Sequence, residues 1–98
     1  MAYGIVLEMD ASVTKQQYDA VNGKLGFDPG KKTGDWPAGL LSHAGGTTPS
    51  GFVVFEVWES KAQQDAWMSG TLGAALAAVG VAAPTRVTDV DIAGFYTP

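Results

Sequence analysis

The chain has 98 residues, of which 46% are hydrophobic and 16% charged, and its net charge is −4. A chain of this length fits one domain, and we expect residues 1–98 to form it. The acidic balance argues against nucleic-acid binding, which needs clustered Lys and Arg to neutralise phosphates. Cysteine is absent and histidine occurs once, so thiolate chemistry and zinc sites built from several such ligands of one chain are excluded. We expect neither a metal nor a cofactor.

The N-terminus and the stretch 70–84 give expectations about cellular location. The N-terminus has no basic segment followed by an apolar one, so we expect no signal peptide. The uncharged stretch 70–84 is short, rich in Gly and Ala, and closed by proline, which makes it a poor membrane span. We therefore expect a cytoplasmic protein that does not contact membranes.

The first two predicted elements are a strand and a helix. Residues 3–9 alternate with period 2, as a strand does, and carry apolar side chains on both faces. Ser12 or Thr14 could cap the helix that follows, Thr14 and Gln17 have the spacing of a capping box, and the helix should end near Gly26. The residues that recur at helical spacing along it are Val13, Gln17, Val21 and Leu25.

A loop and a hairpin are predicted next. Residues 26–39 contain Gly, Pro, Lys and Asp without an apolar period, so they predict a loop, with Trp36 inside it. A loop of this length in a small domain favours a ligand-facing segment. Two apolar runs, 39–44 and 52–58, are separated by the turn-rich segment 45–51 and predict two antiparallel strands.

A second helix and a final strand complete the chain. Ser60 is suited to cap the helix together with Gln63, and Gly70 and Gly73 should bend or divide it. Residues 86–96 are rich in β-branched and aromatic types and predict the last strand. The expected buried stripe of the helix consists of Ala62, Ala66, Leu72, Ala75, Leu76 and Val79.

The resulting β-α-β-β-α-β order predicts an α+β, ferredoxin-like split βαβ fold. Its antiparallel sheet would carry both helices on one face. The strands at 3–9 and 52–58 have apolar residues on both faces, so the uncovered face needs a second layer. In so short a chain a second copy is the simplest source of that layer. We therefore predict a homodimer of the dimeric α/β-barrel type.

Three segments resemble one superfamily. Residues 39–45, residues 51–60 with their Trp58-Glu59-Ser60 ending, and the Ala66-Trp67 pair resemble dimeric α/β-barrel proteins related to antibiotic-biosynthesis monooxygenases. The resemblance implies a cofactor-independent monooxygenase of small aromatic or polyketide-like molecules, a polyketide cyclase or isomerase, or a non-catalytic binding protein. Haem-degrading members carry a haem-ligating histidine on the second helix. Segment 70–79 contains no histidine, which argues against that activity.

His43 is the first candidate for acid–base chemistry, because histidine is the residue type whose ordinary pKa lies near neutrality. Glu56 could orient the imidazole if the hairpin register places both on one face, and the turn length leaves that register open. Tyr18 could donate a hydrogen bond to a phenolate or enolate oxygen. A structural, hydrogen-bonded role for the histidine is the alternative.

Five aromatic residues are candidates for holding an apolar or aromatic ligand, since aromatic side chains line many small-molecule sites. Core packing is the competing explanation for each of them. These candidates are Tyr3, Trp36, Trp58, Trp67 and Tyr96.

Overall fold

The computed structural model describes residues 2–28, 33–34 and 36–96. The middle of the predicted loop (29–32 and 35) and the closing residues 97–98 lie outside the described residues. In chain order the elements are β1 Tyr3–Glu8, α1 Lys15–Leu25, β2 Phe27–Asp28, β3 Thr33–Gly34, β4 Leu40–Thr48, β5 Gly51–Trp58, α2 Lys61–Trp67, α3 Gly73–Val79 and β6 Arg86–Asp91.

The main sheet has four strands in the order β4-β5-β1-β6, and every neighbouring pair is antiparallel. The short strands β2 and β3 pair separately within the predicted loop. The main elements follow the predicted β-α-β-β-α-β order, so the ferredoxin-like fold class is confirmed.

Local sequence signals account for both ends of α1. The Thr14 side chain accepts from the Gln17 backbone N–H, and the Gln17 side chain accepts from the Thr14 N–H, which completes the capping box. Gly26 ends the helix at a φ of 87°, a left-handed conformation that glycine adopts without a Cβ clash. Thr14 is therefore the cap of the two candidates, and the predicted end of the helix near Gly26 is confirmed.

The second helical segment begins as predicted but faces the core differently. Ser60 caps α2 by accepting from the Gln63 N–H, and a π-helical turn over Met68–Leu72 joins it to α3 at Gly73. Ala62 and Ala66 are exposed, whereas Gln64 is only 2% exposed. The prediction for these two alanines was wrong, because the first turns of α2 present a neighbouring stripe to the sheet. Leu72 and Ala75 are buried as expected.

Two predicted strand boundaries were also wrong. The predicted turn at 45–51 is mostly strand, because Gly45 and Thr48 pair with β5 and only residues 49–50 lie between the strands. The last strand ends at Asp91 rather than at 96, because Asp91 pairs with Tyr3, the first residue of β1. A hydrogen bond from the Ile92 N–H to the Ala2 carbonyl oxygen extends the strand pairing by one residue.

The core lies between the helix-facing side of the sheet and the helices. Trp58 and Ile5 are its most deeply buried apolar side chains, at 0% and 2% exposure. The opposite side of the sheet is not covered by a helix, and Phe55 there is 41% exposed. Among the described residues, no helix combines the length and the hydropathy that crossing a bilayer requires.

Candidate functional site

The hairpin register resolves the open question about His43 and Glu56. The two residues are direct partners across β4 and β5, and directly opposite residues in an antiparallel pair project to the same face. His43 Nδ1 lies 2.8 Å from Glu56 Oε2, and the two side chains are only 6% and 4% exposed. The structure therefore brings together the predicted imidazole and its orienting carboxylate.

Hydrogen bonds extend this pair at both ends. The Tyr18 hydroxyl lies 2.5 Å from His43 Nε2, and the Trp58 indole N–H donates to Glu56 Oε1 at 3.2 Å. The result is a continuous chain Tyr18–His43–Glu56–Trp58, which we call the relay. Its inner end is completely buried at Trp58.

The relay has one consistent assignment of protons for a neutral imidazole. An ionised carboxylate only accepts, so His43 Nδ1–H donates to Glu56 and leaves Nε2 as an acceptor. The Tyr18 O–H then donates to Nε2. Two donors, from His43 and Trp58, compensate the buried Glu56 carboxylate, which otherwise carries a large desolvation cost. Both ring nitrogens of His43 are therefore engaged, and the Tyr18 oxygen, which donates its proton to Nε2, still has lone pairs that can accept a proton.

Close packing holds the Tyr18 ring above the hairpin. Its ring lies 4.9 Å from that of Phe52 and stacks at 5.8 Å on the imidazole of His43. A Cβ at Gly45 would fall 2.6 Å from Tyr18 Cζ, so only glycine leaves room for the phenol there. Burial raises the pKa of the Tyr18 phenol above its ordinary value; a hydrogen-bonding contact with the Asn22 side chain opposes that rise, and the Glu56 charge adds to it.

An apolar cavity of about 50 Å³ lies between the sheet and the helices, and the relay forms part of its wall. Polar side chains contribute at five positions, Gln17, Tyr18, Asn22, His43 and Glu56. The apolar lining comes from Leu7, Met9, Val13, Val21, Leu25, Phe52, Val54, Trp67, Leu72, Leu76, Val81 and Pro84. A mostly apolar wall with a few convergent polar groups is typical of small-molecule sites.

The five aromatic candidates lie in different places. Trp67 lines the cavity, and Trp36 lies beside it with its ring 6.0 Å from that of His43. Trp58 lies behind the cavity wall, where it binds Glu56. Tyr3 donates to Asp89 at 2.5 Å and does not line the cavity. Tyr96 is 85% exposed and does not line it either.

Asn22 is a site residue that the sequence analysis missed. It lies one helical turn after Tyr18, lines the cavity, and is 4% exposed. A polar residue four positions after Tyr18, beside the apolar stripe of α1, is the signal that could have identified it. Across the described ranges of the chain, no group of three or more His, Asp or Glu side chains is arranged to hold a metal ion.

Comparisons with known proteins identify the fold. No family model and no curated protein sequence matches this chain. A solved structure from Chloroflexus aurantiacus, provisionally described as an antibiotic biosynthesis monooxygenase, is 23% identical over 99% of this chain and 98% of its own, with a TM-score of 0.65. A Streptomyces coelicolor monooxygenase in complex with nanaomycin D is 16% identical over 99% and 90%, with a TM-score of 0.53.

A third similar structure is a dimeric ferredoxin-like protein of unknown function from Thermobifida fusca. It is 18% identical over 91% of this chain and 86% of its own, with a TM-score of 0.50. At these identities the similarity establishes the fold. The resemblance that the sequence analysis stated is confirmed at that level.

Proposed function

We propose that this protein is a homodimeric, cofactor-independent monooxygenase that binds a small aromatic or polyketide-like molecule in its apolar cavity. The observation that carries the proposal is the relay: a Tyr18 hydroxyl on a cavity wall, hydrogen-bonded to a buried His43–Glu56 pair. The similar structures include one monooxygenase in complex with nanaomycin D and one dimeric protein.

The first step of the proposed mechanism is deprotonation of the substrate. The substrate proton moves to the Tyr18 oxygen while the Tyr18 proton moves to His43 Nε2, and the Glu56 carboxylate stabilises the imidazolium that forms. The direct hydrogen bond between Tyr18 and His43 provides the path for this coupled transfer. The apolar surroundings exclude water that would otherwise compete for the proton.

The oxidation itself needs no cofactor, because the substrate supplies the electrons. A deprotonated, electron-rich methylene carbon reacts with molecular oxygen, the carbon becomes a ketone, and the second oxygen atom leaves as water. Four electrons pass from the CH₂ group to O₂, so the reaction balances as CH₂ + O₂ → C=O + H₂O. In this mechanism the protein contributes the base, the apolar cavity and the orientation of the substrate.

The size of the cavity bears on how such a substrate enters. A cavity of about 50 Å³ is smaller than the roughly 150 Å³ that accommodates benzene in an apolar protein interior. A substrate with several rings therefore requires lining side chains to move outward. Trp67 lines the cavity and packs 6.3 Å from Trp58, so substrate binding should change the tryptophan fluorescence.

Oxygen consumption with anthrone as the substrate tests the proposal. General acid–base catalysis contributes about 10²–10⁴-fold to a rate, so Tyr18→Phe and His43→Ala should each lower turnover by at least about 100-fold. Ser69→Ala, which removes an exposed hydroxyl from the π-helical turn, should retain the rate of the unmodified protein. Stoichiometric uptake of O₂ should be measured with an oxygen electrode.

Two outcomes would overturn this proposal. Product formed equally fast under nitrogen would show that the relay serves a cyclase or isomerase, since its proton transfers do not themselves require oxygen. Anthrone binding without turnover would identify a binding protein.

A further inference from the structure

The imidazole of His43 is buried although its strand is not. His43 lies on β4, the strand at one edge of the main sheet, and an edge strand turns one side of its backbone to solvent. Residues 44–48 of this strand are exposed. The His43 side chain is nevertheless only 6% exposed. The neighbouring strand β5 by itself does not account for this burial.

Trp36 covers the imidazole at this edge. Its ring lies 6.0 Å from that of His43 at an interplanar angle of 57°, a tilted arrangement in which aromatic rings attract each other. The residue is 36% exposed and is not among those that line the cavity. Because His43 does line the cavity, the indole lies on the solvent side of the imidazole and the cavity lies on its other side.

Backbone hydrogen bonds hold the segment that carries Trp36. The Trp36 N–H donates to the Gly34 carbonyl oxygen at 3.1 Å. The Gly39 carbonyl oxygen accepts from the Glu59 N–H at 2.7 Å, which joins the segment to the residue that follows β5. The indole is thus attached on both sides of its position in the chain, and its place beside the edge of β4 is defined by the fold.

We propose that Trp36 is a positioning residue of the relay: it keeps solvent water away from the His43 imidazole, so that a proton taken from the substrate stays on the relay. The catalytic part of this inference rests on the proposed function, which takes Tyr18 and His43 as the groups that receive the proton. The shielding itself is a property of the folded chain without a substrate.

Water at the imidazole would weaken the relay in two ways. A water molecule there competes with the Tyr18 oxygen and with Glu56 Oε2 for the ring nitrogens. It also raises the local dielectric constant, which reduces the attraction between the Glu56 carboxylate and the imidazolium that forms during proton transfer. Exclusion of water by Trp36 therefore preserves both the orientation of the imidazole and the stabilisation of its charge.

The chain has one histidine, so NMR can measure the shielding at a single side chain. The proton on His43 Nδ1, which donates to Glu56, should exchange with water far more slowly in the unmodified protein than in free imidazole. Trp36→Ala should accelerate this exchange at least about tenfold, because an aromatic contact is equivalent to about that factor in an equilibrium constant. Trp36→Phe restores a ring and should restore slow exchange.

Leu41→Ala is the matched control, because it shortens a side chain of β4 that is 40% exposed. It should leave the exchange rate of the imidazole proton unchanged. The backbone amide of Ile5, which is buried in β1, reports on opening of the whole fold. Its exchange should respond much less to Trp36→Ala than the imidazole proton does.

Turnover of anthrone tests the catalytic part. Trp36→Ala should lower kcat by less than the roughly 100-fold expected for His43→Ala, because the base itself is still present. KM should stay unchanged, since Trp36 does not line the cavity. Trp36→Phe should recover the kcat of the unmodified protein.

The outcomes separate this inference from the proposed function. Exchange as fast as in free imidazole in the unmodified protein would overturn the shielding, even if no variant folds. An unchanged rate in Trp36→Ala, or an equal acceleration of the Ile5 amide, would also overturn it. Faster imidazole exchange with an unchanged kcat would refute the catalytic part. The expected exchange rates without any oxidation of anthrone would support the shielding and contradict the monooxygenase.

Discussion

Among the described residues, Asn22, Glu56 and Gln64 are polar residues with at most 4% of their surface exposed. Glu56 has partners on both oxygens, His43 on one and Trp58 on the other. Gln64 retains an amide nitrogen without one in the described part of the chain. The fold thus compensates the buried charge of Glu56 with one donor on each oxygen. For a single buried polar residue, the hydrogen-bond partners therefore say more about its role than the chemical type of the side chain does.

Tyr3 is a buried phenol whose role differs from that of the half-buried Tyr18. Its hydroxyl donates to Asp89 across the β1–β6 pair at 2.5 Å, and the residue is 7% exposed. Burial, followed by the hydrogen bond and the charge of Asp89, raises the pKa of Tyr3 well above its usual range. The phenol therefore keeps its proton in the fold at pH values where the unfolded chain has already lost it.

The sign of the resulting pH dependence follows from linkage. A raised pKa in the fold means that the contribution of Tyr3 is complete below the unfolded pKa of about 10 and decreases as the pH rises further. Tyr3→Phe should lower the free energy of unfolding by about 1.5 kcal/mol at pH 7, as a hydrogen bond to a charged acceptor does. The difference in the free energy of unfolding between the unmodified protein and Tyr3→Phe should decrease above a pH of about 10.

Urea unfolding between neutral and alkaline pH measures this gap. Tyr96→Phe is the matched control, because it removes a hydroxyl from a side chain that is 85% exposed. It should follow the unmodified protein at each pH. A gap for Tyr3→Phe that stays constant or widens in alkali would contradict the assignment.

At the scale of elements, the β4–β5 hairpin and α1 form the site together. The hairpin supplies His43 and Glu56, and α1 supplies Tyr18. Two consecutive glycines of β4 differ in what faces them. A Cβ at Gly45 would clash with the Tyr18 ring, whereas a Cβ at Gly46 would meet no atom within 4 Å. The absence of a Cβ at Gly45 therefore leaves the space that the Tyr18 ring of α1 occupies against β4.

Gly45→Ala should displace the Tyr18 phenol and break its hydrogen bond to His43, because the end of the tyrosine ring is the part that can move. The ¹⁵N NMR signals of the single histidine report on this bond directly. Gly45→Ala and Tyr18→Phe should shift the His43 Nε2 signal in the same direction. Gly46→Ala is the matched control and should leave that signal in place. An unshifted Nε2 signal in Gly45→Ala would contradict the tight packing that we describe.

At the scale of the whole molecule, the side of the sheet away from the helices is the surface that a dimer would cover. Val6, Val53 and Phe55 point to that side, opposite to the cavity-lining Leu7 and Val54, because successive strand residues alternate between faces. Val6 and Phe55 are direct neighbours in the β1–β5 register. An apolar sheet face of this kind is a typical protein–protein contact surface.

Phe55→Lys should convert the proposed homodimer into a monomer, because it places a charge in the centre of that apolar face. Light scattering during gel filtration should give about twice the chain mass of 10.2 kDa for the unmodified protein, and the chain mass itself for the variant. Gln16→Lys adds the same charge at an exposed position of α1 and should remain dimeric. A monomeric mass for the unmodified protein would refute the dimer.

The sequence by itself determined the order of the elements, the ends of α1, the start of α2 and the apolar character of both strand faces. These properties depend on neighbours within one turn or one strand, such as Thr14 with Gln17, so local patterns suffice to predict them. Only the tertiary structure decided that His43 lies opposite Glu56, that Tyr18 reaches the imidazole, and that Asn22 lines the cavity. Those contacts depend on strand register and on the packing of α1 over the hairpin, which involve residues far apart in the chain.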